Sequence, residues 1–117
     1  MRAQVRLTQG AEADLLGIYR RRLAQRGTGG SDGAEALLDR ITAKLEGLAI
    51  HPERGPVPPE LDALGIRNYR QISIPPFRAI YWPELEASPP VVTIMLIADT
   101  RRDFRVLLEE RVLRHSA

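Results

Sequence analysis

From its second residue the chain alternates. Ala3, Val5 and Leu7 share one side of an extended segment and Arg2, Gln4 and Arg6 the other, the period-two pattern of a half-buried strand. Thr8 then supplies a helix N-cap. Ala11, Leu15, Ile18, Tyr19 and Leu23 recur at helical spacing and predict a first amphipathic helix of about four turns. Its far face carries Glu12, Asp14, Arg21 and Arg22, and Gly27-Thr28-Gly29-Gly30 stops it. That glycine run has no strand before it and no Gly-Lys-Ser/Thr ending, so it reads as a helix–helix connection rather than a phosphate loop. Ser31 or Asp32 caps a second helix, with Glu35 placed to complete a capping box on Asp32. Its apolar stripe is Ala34, Leu37, Leu38, Ile41, Leu45 and Leu48, and His51-Pro52 ends it. Two such helices with a short link predict an antiparallel helical hairpin.

Residues 52–65 are rich in proline and glycine and read as a loop. Strand character returns at Ile66–Ile74, with Arg70, Ile72 and Ile74 on one face and Arg67, Tyr69, Gln71 and Ser73 on the other. Pro75-Pro76 turns the chain into a strand from Phe77 to Trp82. Val91–Ala98 follows, apolar on both faces, and so reads as the doubly covered centre of the sheet. Phe104, Leu107, Leu108 and Val112 line a final helix. The order is strand, helix, helix, strand, strand, strand, helix. The short links between the last three strands predict an antiparallel meander, and the helical hairpin covers the sheet in an α+β fold.

Length and composition narrow this picture without changing it. The 117 residues, 44% hydrophobic, suit one domain over residues 1–117 with a single core. No apolar run approaches the roughly 18 residues of a membrane span, and the opening Met1-Arg2-Ala3-Gln4-Val5 lacks the order of a secretory signal. With no cysteine, and only His51 and His115, thiolate and histidine metal sites are not expected. No cofactor is implied, and a cytoplasmic location fits. The net charge is +2, yet sixteen of the 17 basic residues are arginine, Lys44 being the exception. That bias suits planar, bidentate contacts to carboxylate or phosphate, or reflects a compositional drift toward arginine.

The candidate chemistry lies between Pro75 and Leu113. Arg78 points opposite Phe77 and Ala79, toward solvent or a groove. Arg101 and Arg102 follow the central strand, and Arg67 and Arg70 lie on the neighbouring one. Together they form a candidate cationic face for phosphates or an acidic peptide. Paired surface charge, with Arg102 on Asp99 or Asp103, is the plainer reading. Trp82 either stacks on a base or caps an edge of the core. Tyr81 shares the side of Phe77 and Ala79 and belongs to the core, as does Tyr19 on the first helix. Glu109 and Glu110 splay about 100° apart on a helix and cannot clamp one atom. A metal-free nuclease acting through arginines and a tyrosine is compatible with these residues, but no strong general base stands beside the arginines.

Val5-Arg6-Leu7-Thr8, then Ala13-Asp14-Leu15 and Ile18-Tyr19, resemble the opening of ParE/RelE-type toxins of bacterial toxin–antitoxin modules. Pro52 with Gly55 is similar to that family's exit from the second helix. Phe77-Arg78-Ala79-Ile80-Tyr81 resembles its aromatic-Arg-x-x-Tyr strand, and Ile97 through Arg101-Arg102-Asp103 its closing motif. The resemblance implies a RelE/ParE-like fold and a toxin neutralised by a cognate antitoxin, with operator DNA contacted only through that antitoxin. In the ribosome-dependent mRNA endonucleases of the RelE-like branch, Arg78 and Arg101 or Arg102 match arginines used at the scissile phosphate. Those enzymes add a C-terminal tyrosine or another acid–base residue. Here the last helix has neither tyrosine nor histidine before His115. The Arg-Arg-Asp ending is closer to the ParE-like branch, whose members inhibit DNA gyrase. The expectation is therefore a ParE-like gyrase inhibitor, with enzymatic activity left open; if it is an enzyme, it is a metal-independent endoribonuclease. The alternatives are a RelE-like interferase acting on ribosome and mRNA through Arg78, Arg101 and Arg102, and a non-toxic binding module of the same fold. In each, Arg67, Arg70, Arg78, Trp82, Arg101 and Arg102 are the candidate contacts for target or antitoxin.

Overall fold

The computed structural model describes residues 2–113; Met1 and His115, used above, lie outside them. Strand β1 (Gln4–Leu7) leads into α1 (Gln9–Arg26), and α2 (Ala34–Glu46) runs on into a 3-10 turn at Gly47–Ala49. A short helix α3 (Pro59–Asp62) precedes β2 (Arg70–Ile74), β3 (Phe77–Glu84), β4 (Val91–Asp99) and α4 (Phe104–Arg111). The sheet order is β1-β4-β3-β2. The expected α+β architecture holds, and β2, β3 and β4 form the expected antiparallel meander. The expectation of a wholly antiparallel sheet is corrected at one strand: β1 joins β4 in parallel, Gln4 opposite Val91 through Leu7 opposite Ile94. The α1–α2 hairpin is the crossover that lets a parallel neighbour return to the same sheet.

The local signals explain most boundaries. Thr8 caps α1 by accepting from the Ala11 N–H at 3.0 Å. Gly27 closes it at φ 72°, its N–H returning to Leu23 O, a conformation glycine reaches without steric cost. The α2 start differs from expectation. Gly33 is the N-cap and no side chain caps it; Asp32 turns instead to Arg22 and Arg26, at 3.3 and 3.2 Å. Ala34 and Glu35 donate their backbone N–H groups to Gly27 O and Thr28 O, so the glycine turn itself satisfies the helix start. The strand read from Ile66 is ordered as a strand only from Arg70, because Ile66 folds back to bond Leu61 O behind α3.

Two apolar layers sandwich the sheet. One gathers Ile18, Leu37, Ile41, Leu45 and Leu48 of the hairpin against Ile72, Ile74, Phe77, Ala79, Tyr81, Val92, Ile94 and Ile97. The other gathers Phe104, Leu107, Leu108 and Val112 against Leu61, Tyr69, Ile80, Leu96 and Ala98. A bulge lets β4 serve both. Ile80 pairs with Leu96 and Tyr81 with Ile94, leaving Met95 as the extra residue, so the even-numbered side chains of β4 switch from the hairpin layer (Val92, Ile94) to the α4 layer (Leu96, Ala98). Tyr81 is fully buried and its hydroxyl accepts from the Gly55 N–H at 3.1 Å; burial raises its pKa. Gly55 is pressed against β2: a Cβ there would lie 1.8 Å from Gln71 O, so only glycine fits without movement.

Candidate functional site

The arginines named from the sequence divide between different surfaces. Arg78 enters on β3 facing the α4 layer, where it meets α3. Its two terminal nitrogens each donate to a carboxylate oxygen of Glu60 at 3.0 Å, one also donates to Gln71, and the guanidinium lies 3.9 Å over the Phe104 ring. The Arg78 side chain keeps only 16% of its exposure. Its Nε is buried and has no hydrogen-bond partner among the described residues. Arg78 lowers the Glu60 pKa through these hydrogen bonds. The expectation that Arg78 faces solvent or a groove is therefore corrected: a carboxylate of the same chain occupies the bidentate position a phosphate would need. The loop between Pro52 and Gly65 hides this partner from pattern reading, since Glu60 becomes its neighbour only when α3 packs beside α4.

Arg70 lies on the opposite face, its guanidinium donating to Gly55 O at 2.8 Å and tying the loop to the sheet. Arg67 pairs with Asp62 at the exposed end of α3. Trp82 lies on the Arg78 face, four residues and about 13 Å along the strand. It packs a tilted ring on buried Tyr69 at 6.4 Å and is 38% exposed, so it caps a core edge while leaving one side in solvent. The expected single cationic face thus separates into an Arg78 paired within the chain, Arg70 bound to the loop, Arg67 paired at the end of α3 and an aromatic edge.

Arg101 and Arg102 do come together, at the rim of a groove of about 650 Å³. This groove exists because β1 ends at Leu7 while β4 continues to Asp99. Past Ile94 no strand among the described residues lies beside the outward backbone groups of β4, and side chains take their place. Met95 O receives Thr8 Oγ at 3.5 Å and Arg111 Nη2 at 3.3 Å. The Ile97 N–H donates to Asp14 Oδ2 at 3.0 Å, and Arg111 holds both Asp14 oxygens at 3.1 and 2.9 Å. Ala13, Gly17 and Arg21 of α1 form the facing wall.

Asp14 was expected on the solvent side of α1. The structure corrects this, and the spacing explains why: position 14 lies between Ala11 and Ile18 on the inward face. Arg111 carried no signal of its own. It becomes legible only when α4 folds across β4.

The charges at the rim are unequal. Asp99 accepts from the Arg101 backbone and guanidinium at 2.8 to 2.9 Å, and these bonds lower its pKa to about 2. Asp103 is engaged as the N-cap of α4, accepting from the Arg105 and Val106 N–H groups. Neither aspartate pairs with Arg102, whose side chain makes no ion pair or hydrogen bond among the described residues. With Asp14 and Asp99 already neutralised, Arg21 and Arg102 leave the groove cationic. Among the described residues no group of three or more histidine, cysteine or acidic side chains is placed to hold a metal. No helix there is long and apolar enough to cross a membrane.

The family model described as the ParE toxin of the type II toxin–antitoxin system, parDE, matches residues 5–104, most of the chain. The chain belongs to the ParE toxin family of type II toxin–antitoxin systems. Among solved structures it is similar to one described as the chromosomal ParDE TA system from P. aeruginosa, with a TM-score of 0.62 and 19% identity, over 84% of this chain and 96% of that one. At that identity the likeness concerns the fold. No curated protein matches the chain significantly.

Proposed function

We propose that the chain acts by stoichiometric binding, inhibiting DNA gyrase in the cytoplasm, and is neutralised by a cognate antitoxin; it does not cleave RNA. One observation carries the choice between branches. Arg78, the strand arginine an interferase would place on the scissile phosphate, is occupied by Glu60 and Gln71 and roofed by Phe104. Tyr81, the tyrosine on that strand, is fully buried. Phosphoryl chemistry needs free cations and a proton-transfer group free to act on the reacting atoms; Arg78 is paired, and the carboxylate beside it, Glu60, is held in that same pair. The gyrase reading draws on membership of the ParE family and on the exposed Arg101–Arg102 rim. The cationic groove beneath that rim suits acidic residues of an antitoxin, which would contact operator DNA in its stead.

A paired assay tests this. Purified chain titrated into a supercoiling reaction should abolish gyrase activity near stoichiometry, and leave message on translating ribosomes intact. Unchanged supercoiling together with cleaved message, lost in Arg78→Ala, would establish the interferase reading instead.

A further inference from the structure

Beyond Ile94 the edge of β4 that faces α1 is closed by side chains rather than by a strand. Asp14 Oδ2 accepts from the Ile97 N–H at 3.0 Å, and Arg111 Nη2 donates to Met95 O at 3.3 Å, with Thr8 Oγ beside it at 3.5 Å. The two charged groups are bound to each other, Arg111 holding both Asp14 oxygens at 3.1 and 2.9 Å. Gly10 completes the arrangement. A Cβ there would lie 2.5 Å from Arg111 Nη2, so the guanidinium passes over a position that has no side chain. Successive residues of a strand aim their backbone groups to opposite sides, so the Ile97 carbonyl and the Asp99 N–H point the same way as the Ile97 N–H. Neither meets a side-chain partner among the described residues.

An open strand edge is a template for another strand, and a short apolar run without charge is the sequence that uses it. Met95-Leu96-Ile97-Ala98 is such a run. Its outward groups are also self-complementary. About a two-fold axis through Ile97, each Ile97 N–H would meet the other copy's Ile97 carbonyl, and each Asp99 N–H the other copy's Met95 carbonyl, which is the ladder of an antiparallel pair. The two Arg101 side chains would stand at opposite ends of that ladder, so their charges would not oppose it. Ala13 and Gly17 keep the α1 wall low beside this edge. We infer that Asp14 and Arg111 form an edge guard: they occupy the Met95 carbonyl and the Ile97 N–H, and so keep β4 from pairing with β4 of a second copy of this chain. The inference does not depend on what the chain inhibits.

The test is sedimentation velocity with amide exchange on the full chain. The unsubstituted chain should stay monomeric. Asp14→Ala combined with Arg111→Ala removes the pair and leaves the net charge unchanged. That variant should self-associate at least about tenfold more tightly and reach a dimer. At low concentration its Ile97 amide should exchange about 100-fold faster than in the unsubstituted chain, and it should regain protection, together with Asp99, as the dimer forms. Gly10→Ala should act in the same direction with both charges kept, because the new methyl displaces Arg111. It carries the test alone if the double variant does not fold. A folded variant that stays monomeric would overturn the inference. So would an unsubstituted chain that already dimerises with Ile97 and Asp99 protected, or a variant dimer that leaves those two amides unprotected.

Discussion

Arg78 and Arg102 are the same residue type in the same candidate surface, and the fold treats them oppositely. Arg78 is held by a carboxylate, an amide and an aromatic ring, each from a different element. Arg102 stands at a turn where the nearby aspartates are already engaged, Asp99 by Arg101 and Asp103 by the start of α4. A partly buried arginine held by a carboxylate and an aromatic ring stabilises packing. An exposed one beside neutralised acids keeps its charge available to another molecule. Position in a strand or turn does not decide which of these an arginine becomes; the elements that fold over it do.

The comparison is broken most severely at Phe104. Phe104→Ala removes a ring 3% exposed that fills the α4 layer and covers Arg78. It should cost about 3–4 kcal/mol of unfolding free energy in urea titration, the range for a truncated core aromatic. A loss below about 1 kcal/mol would mean that α4 contributes little to the fold.

Glu60→Ala comes next. It leaves Arg78 largely buried without its bidentate partner and should cost about 2 kcal/mol. Replacing both partners, Glu60→Leu with Arg78→Met, should cost less than the sum of the single changes, because no unpaired charge remains. Strict additivity in that double-mutant cycle would show that the pair is not coupled.

Acid should expose both carboxylates in turn. The pKa values of Glu60 and Asp99 are lowered by their arginines, Asp99 to about 2. A depressed carboxylate stabilises the folded state above its unfolded pKa and loses that contribution as pH falls through its folded value. Stability should therefore fall as pH drops below about 4.5, the usual value for Glu60, and continue falling toward pH 2 as Asp99 protonates. Asp99→Asn should flatten only the lower part of that arm, and Glu60→Gln the upper part.

The smallest effect on stability belongs to Arg102→Ala, expected within about 0.5 kcal/mol in the same titration. Its effect should appear in binding, as a weaker complex with an acidic partner and a shallower salt dependence. Equal stability loss for Arg102→Ala and Glu60→Ala would erase the distinction between the two regions.

Much of this molecule was legible along the chain because its signals are local. Thr8, Gly27, the period-two run at Val5 and the leucine stripe of α2 each act within a few residues, and each holds in three dimensions. The doubly apolar run at Val91–Ala98 announced a strand covered on both faces, as the two core layers confirm. Asp14 reads from the sequence as a solvent-face charge, although position 14 lies between Ala11 and Ile18 on the inward face. Its partners, the Ile97 N–H and Arg111, are 83 and 97 residues away in sequence.

The sequence by itself determined the order of the main elements, the α1–α2 hairpin and the apolar stripes of β1, α2 and β4, since these follow from periodicity and from caps that bond their own neighbours; the loop read over residues 52–65 hid α3. Tertiary structure alone decided that β1 lies parallel to β4 and stops short of its end. It also decided that Asp14 and Arg111 fill the edge left open, and that Glu60 closes over Arg78 while the Arg102 side chain has no hydrogen bond or ion pair among the described residues. These are pairings between charged and backbone groups far apart in sequence. Their energies depend on distance and burial, and neither exists until the sheet has two sides and helices have been laid on both.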